Sequence, residues 1–218
     1  MSLVKSAMVA LLVLSVGSVM AQSLDDVMSR GQVHGNFQLD MQYYKEDSLI
    51  GAQAVPEDVL MNGFANINYT NGNFSAGFRY ESYLNTMLGF PTQYKGNGIG
   101  YRYASFSNED MTITVGNFYE QFGNGLIFRS YEERGLGYDN AMDGIRINYK
   151  LAEGLNVKGI IGKQRFYFDF GEGIVRGIDG ELMLNDFLGG SFGESKTKIT
   201  LGGSFVSKFQ VDNSAQYN

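Results

Sequence analysis

The chain has 218 residues with no Cys, one His, no Trp, two Pro and 29 Gly, a formal net charge of -6 and a mean hydropathy of -0.17. The missing Cys and single His exclude a disulfide framework, thiolate zinc and iron–sulfur sites, a cysteine nucleophile and a multi-His metal centre. The acidic balance argues against nucleic acid as a partner, and 44 % hydrophobic against 18 % charged residues argues against disorder.

Lys5 precedes an apolar run over residues 7–16, interrupted only by Ser15, and Val19-Met20-Ala21 supplies small residues for cleavage. Residues 1–21 therefore read as a secretory signal peptide. The alternative is an N-terminal anchor, for which the run falls short of the roughly 20 residues that span a bilayer. Residues 22–31 read as a short periplasmic segment, with one capped helical turn over residues 23–30. No Cys follows the cleavage site, which excludes lipoprotein attachment.

From residue 32 the pattern is that of strands, with apolar and polar residues alternating at period two. Residues 33–43 set Val33, Gly35, Phe37, Leu39, Met41 and Tyr43 against His34, Asn36, Gln38, Asp40 and Gln42. Residues 61–69 set Met61, Gly63, Ala65, Ile67 and Tyr69 against Asn62, Asn66 and Asn68, with Phe64 breaking the pattern. Residues 74–84 set Phe74, Ala76, Phe78 and Tyr80 against Ser75, Arg79 and Glu81. Residues 99–107 put Ile99, Tyr101 and Tyr103 opposite Gly100 and Arg102. The pattern then recurs over residues 111–122, 144–150, 155–162, 174–184 and 197–210. The expectation is about nine strands.

The links between them sort by length. Those after the second, fourth and sixth strands are tight, at Asn71-Gly72-Asn73, Asn108-Glu109-Asp110 and Ala152-Glu153-Gly154. Those after the first, third and fifth are long, over residues 44–60, 85–98 and 123–143. Short periplasmic turns with long extracellular loops are the habit of outer-membrane barrels. Residues 185–196 are an exception, a long link on the short side. Several strands also reach the length of about 9–11 residues that crosses a bilayer at a tilt. Tyr and Phe near the strand ends suit interfacial girdles. The fold expected is all-β, a transmembrane antiparallel β-barrel over residues 32–218. An odd strand count and a polar end after Gln210 suggest an N-terminal portion of a larger barrel, the alternative being eight strands with one miscounted.

The stretch Gly116-Asn117-Phe118-Tyr119-Glu120-Gln121-Phe122-Gly123-Asn124-Gly125-Leu126 is followed by Arg129-Ser130-Tyr131-Glu132, Leu136-Gly137 and Asp139-Asn140-Ala141-Met142-Asp143-Gly144. With Gly162-Lys163-Gln164-Arg165 and residues 171–180, it resembles an uncharacterised family of Bacteroidota outer-membrane proteins. The resemblance runs from about Gly31 onward. It implies an outer-membrane barrel and carries no assigned substrate or activity.

With lipid outside, the polar parity faces the lumen. Its charged candidates are Arg79, Glu81, Arg102, Glu120, Arg146, Lys158, Asp179 and Glu181. Two readings stand level: a wet pore whose opposed charges select solutes, or a packed polar interior in which they pair. The link over residues 123–143, with Arg129, Glu132, Glu133, Arg134, Asp139 and Asp143, is the best candidate for a loop that folds inward or binds something outside. His34, with Asp40, Glu46 and Asp47, is the one constellation resembling acid/base chemistry. No Gly-x-Ser-x-Gly elbow accompanies it, so an enzyme is not expected. The Gly-rich stretches lack a following helix and hold no phosphate, and residues 139–143 lack EF-hand spacing. No cofactor or metal is expected. The expected partners are outer-membrane lipids and a surface complex partner. The function expected is porin-like passage of small polar solutes, the alternative a non-conducting barrel serving as scaffold in a surface complex.

Overall fold

The computed structural model describes residues 31–210 except Gln53 and Pro56. The expected signal peptide, the turn over residues 23–30 and the polar end after Gln210 lie outside the described residues. Within them the protein is all-β. Twelve strands are present: β1 (Gln32–Tyr43), β2 (Val59–Asn71), β3 (Phe74–Leu84), β4 (Gly96–Ser107), β5 (Met111–Phe118), β6 (Glu132–Glu133), β7 (Tyr138–Asp139), β8 (Met142–Ala152), β9 (Leu155–Phe166), β10 (Asp169–Phe170), β11 (Ile174–Met183) and β12 (Thr200–Phe209). No helix among the described residues is long and apolar enough to cross a membrane.

Nine of these strands form one antiparallel meander in the order β1-β2-β3-β4-β5-β8-β9-β11-β12, with β10 added to β9 and β6 paired with β7. They correspond one to one with the nine expected strands. The bounds differ where the chain turns. The fifth strand stops at Phe118 because the following residues leave the ladder and Gln121 bridges instead to Arg129. The seventh runs on to Phe166. Between β2 and β3, Gly72 adopts φ +54°, a left-handed conformation that primed hairpin turns require and that Gly takes without steric cost. The expected long link on the short-turn side is present too, and folds into helical turns at Leu184–Leu188 and Gly190–Gly193.

The sheet is open: β1 and β12 each have one neighbour, and no closed barrel forms among the described residues. It is nevertheless strongly curled. Strands β3 and β9 are four steps apart in the sheet, about 19 Å if it were flat, yet Arg165 on β9 touches Glu81 on β3 at 2.6 Å. Two side chains cannot span that distance, so the sheet bends until its two halves face each other.

Directly opposed residues of an antiparallel pair point to the same side, and the register therefore assigns the faces. The outer face carries Phe37 opposite Ala65, Ile67 opposite Phe78, Ile113 opposite Ile147, and Ile178 opposite Phe205. Apart from the half-buried Ala65 and Ile113 these side chains are open, with Phe37 71 % and Phe205 65 % exposed. The inner face holds the buried polar residues Asn62, Arg79, Glu81, Thr114 and Asp179. Large apolar side chains are thus exposed on the outer face, while the buried positions are polar and apolar alike.

Two apolar clusters sit on the inner face. Phe118, Phe122, Met142, Ile160 and Val175 pack together with Phe128 and Val206. Phe64, Tyr83 and Tyr94 pack with Phe90 and Tyr167. Phe64, which breaks the alternation of the second strand, belongs here: it is inward because the link after β3 supplies Phe90 and Tyr94 to cover it. Beside it Asn62 is fully buried, and neither its amide nitrogen nor its oxygen finds a hydrogen-bond partner. Asn62→Leu is expected to raise stability by about 1–3 kcal/mol by removing that desolvation cost, read as a higher denaturant midpoint.

Candidate functional site

The segment 119–141, between β5 and β8, folds inward across the sheet. At one end Phe122 lies over Gly177 on β11, where an added Cβ would stand 2.5 Å from the Phe122 ring. Further along, Glu132 and Asp139 reach Arg79 on β3, and Arg134 donates to Gln38 on edge strand β1 at 3.4 Å. The crossing follows from the sequence of this segment, in which Phe122 and Phe128 pair their rings 5.1 Å apart and anchor its first turn. The two-residue strands β6 and β7 then turn its acidic residues to the wall.

The contacts of this segment with the wall are ionic. Arg79 donates from Nε to Glu81 at 2.6 Å, from Nη1 to Glu132 and from Nη2 to Asp139 at 2.8 Å. Arg165 donates from Nη2 to Glu81 at 2.6 Å and from Nη1 to both Glu81 and Asp139. Tyr119 donates to Asp139 at 3.0 Å, and Arg134 to Glu132 at 3.0 Å. The side chains of Arg79, Glu81, Asp139 and Arg165 are at most 6 % exposed. Three guanidiniums therefore face three carboxylates, and the ion group is balanced. Gly100 is what admits the Glu81 carboxyl: a Cβ there would lie 2.2 Å from it.

A second group forms around Glu120, which accepts from Lys158 at 2.9 Å and lies 3.7 Å from Arg146. Arg146 also donates to the Tyr119 carbonyl and the Thr114 hydroxyl. Asp179 accepts from the Ser204 hydroxyl, and Glu181 lies exposed beside it. Of the eight charged residues expected on the inner face, seven are there. Arg102 is the correction. It pairs with Phe78 across β3 and β4, which puts it on the outer face, where it meets Asp143 at 3.0 Å. The reason is a bulge: the register shifts between Arg79 and Tyr80, so Gly100 and Tyr101 both turn inward and parity reverses after them. Tyr101 accordingly stacks on Tyr119 at 5.4 Å on the inner face. Arg102→Ala is expected to change stability by less than about 1 kcal/mol, as for an exposed ion pair, in a denaturant titration.

The loop candidates divide likewise. Glu132, Arg134 and Asp139 join the buried ion group, Asp143 faces out beside Arg102, Glu133 is exposed, and Arg129 lies over the Tyr131 ring at 4.4 Å. Arg165 escapes the parity reading because it shares the parity of Ile161, and its only sequence signal is its place in Gly162-Lys163-Gln164-Arg165. His34 lies 3.3 Å from Gln32, and Asp40 accepts from Gln38, while Asp47 caps the backbone of Leu49. The structure brings none of these three to the others. No group of three or more His, Asp or Glu is placed to hold a metal ion among the described residues.

Above the ion group, the loop end of the sheet holds a cavity of about 320 Å³ between residues 91–94, 136–140 and 164–171. Tyr94 forms its wall and meets Tyr167 edge to face at 4.8 Å. Tyr167 takes φ +58°, an uncommon conformation for an aromatic residue that costs of order 1–3 kcal/mol. The packing around it outweighs that cost. Burial pushes the Tyr94 phenol up to about 12, so its hydroxyl is neutral at physiological pH.

These features define an all-β protein built on one curled antiparallel meander, with an apolar outer face and a polar interior crossed by its own loop. The chain belongs to a family of unknown function, DUF6029, whose family model matches residues 4–218. Comparison with curated proteins returns no match.

Proposed function

We propose that the chain is exported and forms the wall of an outer-membrane β-barrel that passes small polar solutes. The observation that supports this reading is the exposed apolar outer face, set over an interior that buries charged and polar side chains. A continuous apolar outer face and a polar interior suit lipid outside and water inside, whereas water on both sides would penalise the exposed apolar area. Sorting of the long links to one end fits the same orientation.

The solute class follows from the interior. The ions of the inner face are mostly paired with one another, so they create little net field. The inner face of β1 and β2 instead presents His34, Asn36, Gln38, Asn66 and Asn68, of which the first three are exposed and Asn66 donates to Asn36 at 2.7 Å. A hydrogen-bonding row of this kind, with Asp40 held by Gln38 at its end, suits small polar solutes. Purified protein is expected to give stepwise ion conductance in planar bilayers. A well-folded sample that associates with vesicles but gives no steps would overturn the passage reading.

One observation favours a second reading. The segment 119–141 and both apolar clusters occupy much of the interior, as in a barrel whose role is to hold a surface complex together. That reading expects a partner to survive mild detergent extraction and affinity purification. Repeated recovery of the chain alone would count against it.

A further inference from the structure

We infer that the cavity at the loop end of the sheet is a binding site for a neutral saccharide ring. The inference is independent of whether the protein conducts. Its volume of about 320 Å³ falls at the lower end of the range for small-molecule sites. Tyr94, Tyr138, Phe166 and Tyr167 line it together with the amide side chain of Gln164. Phe166 is 60 % and Tyr138 43 % exposed, so aromatic surface is open at the mouth.

Three features select the ligand class. First, the charged residues of the lining, Asp139 and Arg165, are bound to each other and to Glu81 and Arg79. No uncompensated charge is left for an anion or a cation. Second, Tyr94 lines the cavity and its hydroxyl makes no hydrogen bond among the described residues, yet it is not one of the sealed, unpartnered atoms, so it is open to a ligand. The Gln164 side chain is likewise without a hydrogen-bond partner among them. A purely apolar ligand would leave these groups unmatched, whereas hydroxyl groups would satisfy them. Third, the electron-rich faces of aromatic rings attract polarised C–H bonds, and a pyranose presents an apolar C–H face with hydroxyls around its rim. A neutral polyhydroxylated ring meets all three conditions together.

With no Trp among the residues, tyrosine fluorescence gives one readout, to which Tyr94, Tyr138 and Tyr167 of the lining contribute among 14 tyrosines, and calorimetric titration gives the readout of binding itself. The probes are methyl α-D-glucopyranoside, methyl β-D-galactopyranoside and maltotriose, with sodium benzoate as an aromatic anion for contrast. At least one saccharide is expected to bind saturably and more tightly than benzoate. Tyr94→Phe, which keeps the ring and removes only the hydroxyl, is expected to weaken it at least tenfold, and so is Phe166→Ala, whose exposed position leaves the fold intact. Absence of saturable binding by all three saccharides, tighter binding of benzoate, or unchanged affinity in both variants would overturn the assignment.

Discussion

Glu81→Ala is expected to lower the free energy of unfolding by about 3–5 kcal/mol, the range for removing one partner from a buried ion group. The Glu81 side chain is 1 % exposed and accepts hydrogen bonds from Arg79, from both terminal nitrogens of Arg165 and from the Tyr83 hydroxyl. Its removal leaves three guanidiniums against Asp139 and Glu132. The surplus positive charge has no route to solvent, because Arg79 and Arg165 are themselves nearly inaccessible. The same residues pin the crossing segment, so its release is part of the expected result. Denaturant titration measures the loss, and limited proteolysis within residues 119–141 measures the release. Glu81→Gln keeps the volume and removes the charge, and is expected to lose most of the same stability. A loss below about 1 kcal/mol in both variants would mean that the group behaves as a solvated surface pair.

Gly144→Ala is expected to cost about 3 kcal/mol or more, at or beyond the upper end for overpacking. Gly144 on β8 lies opposite Gly162 on β9, where the two backbones approach closely. An added Cβ would stand 2.0 Å from the Ile161 carbonyl oxygen and 2.5 Å from the Gly162 Cα. Both are backbone atoms, so no side-chain rotation can give way and the ladder itself must open. Gly159→Ala on the neighbouring strand β9 is the control. Nothing lies within 4 Å of its added Cβ, and its effect is expected to stay within about 0.5 kcal/mol. Equal effects of the two substitutions in a denaturation series would contradict the close approach.

Much of the architecture was legible because a sheet with two different environments writes its period into the chain. Val33 to Tyr43 and Phe74 to Glu81 separate their two faces residue by residue, and the separation survives in the structure. Legibility stops where the period is broken. At Arg102 a single extra residue reverses the faces, and a bulge has no compositional mark beyond one Gly among many. At Arg165, parity points to the outer face while the side chain is drawn into the ion group. Phe64 is the opposite case: it looked like an irregularity and is a buried residue, since a distant link covers it.

The sequence alone was enough to establish an all-β meander, its nine long strands and, away from Arg102 and Arg165, which residues share a face, because these depend on neighbours one and two positions apart. It also singled out residues 123–143 as a charged segment of unusual length. The partners of those charges were a different matter. Arg165 and Glu81 are separated by 84 positions in the chain, and their contact exists only because the sheet curls. Curl, together with one bulge, chose between a field-bearing lining and a balanced buried group, since both use the same residues in the same order. Local pattern sets the face a residue occupies. What stands opposite that face is set by the path of the whole sheet.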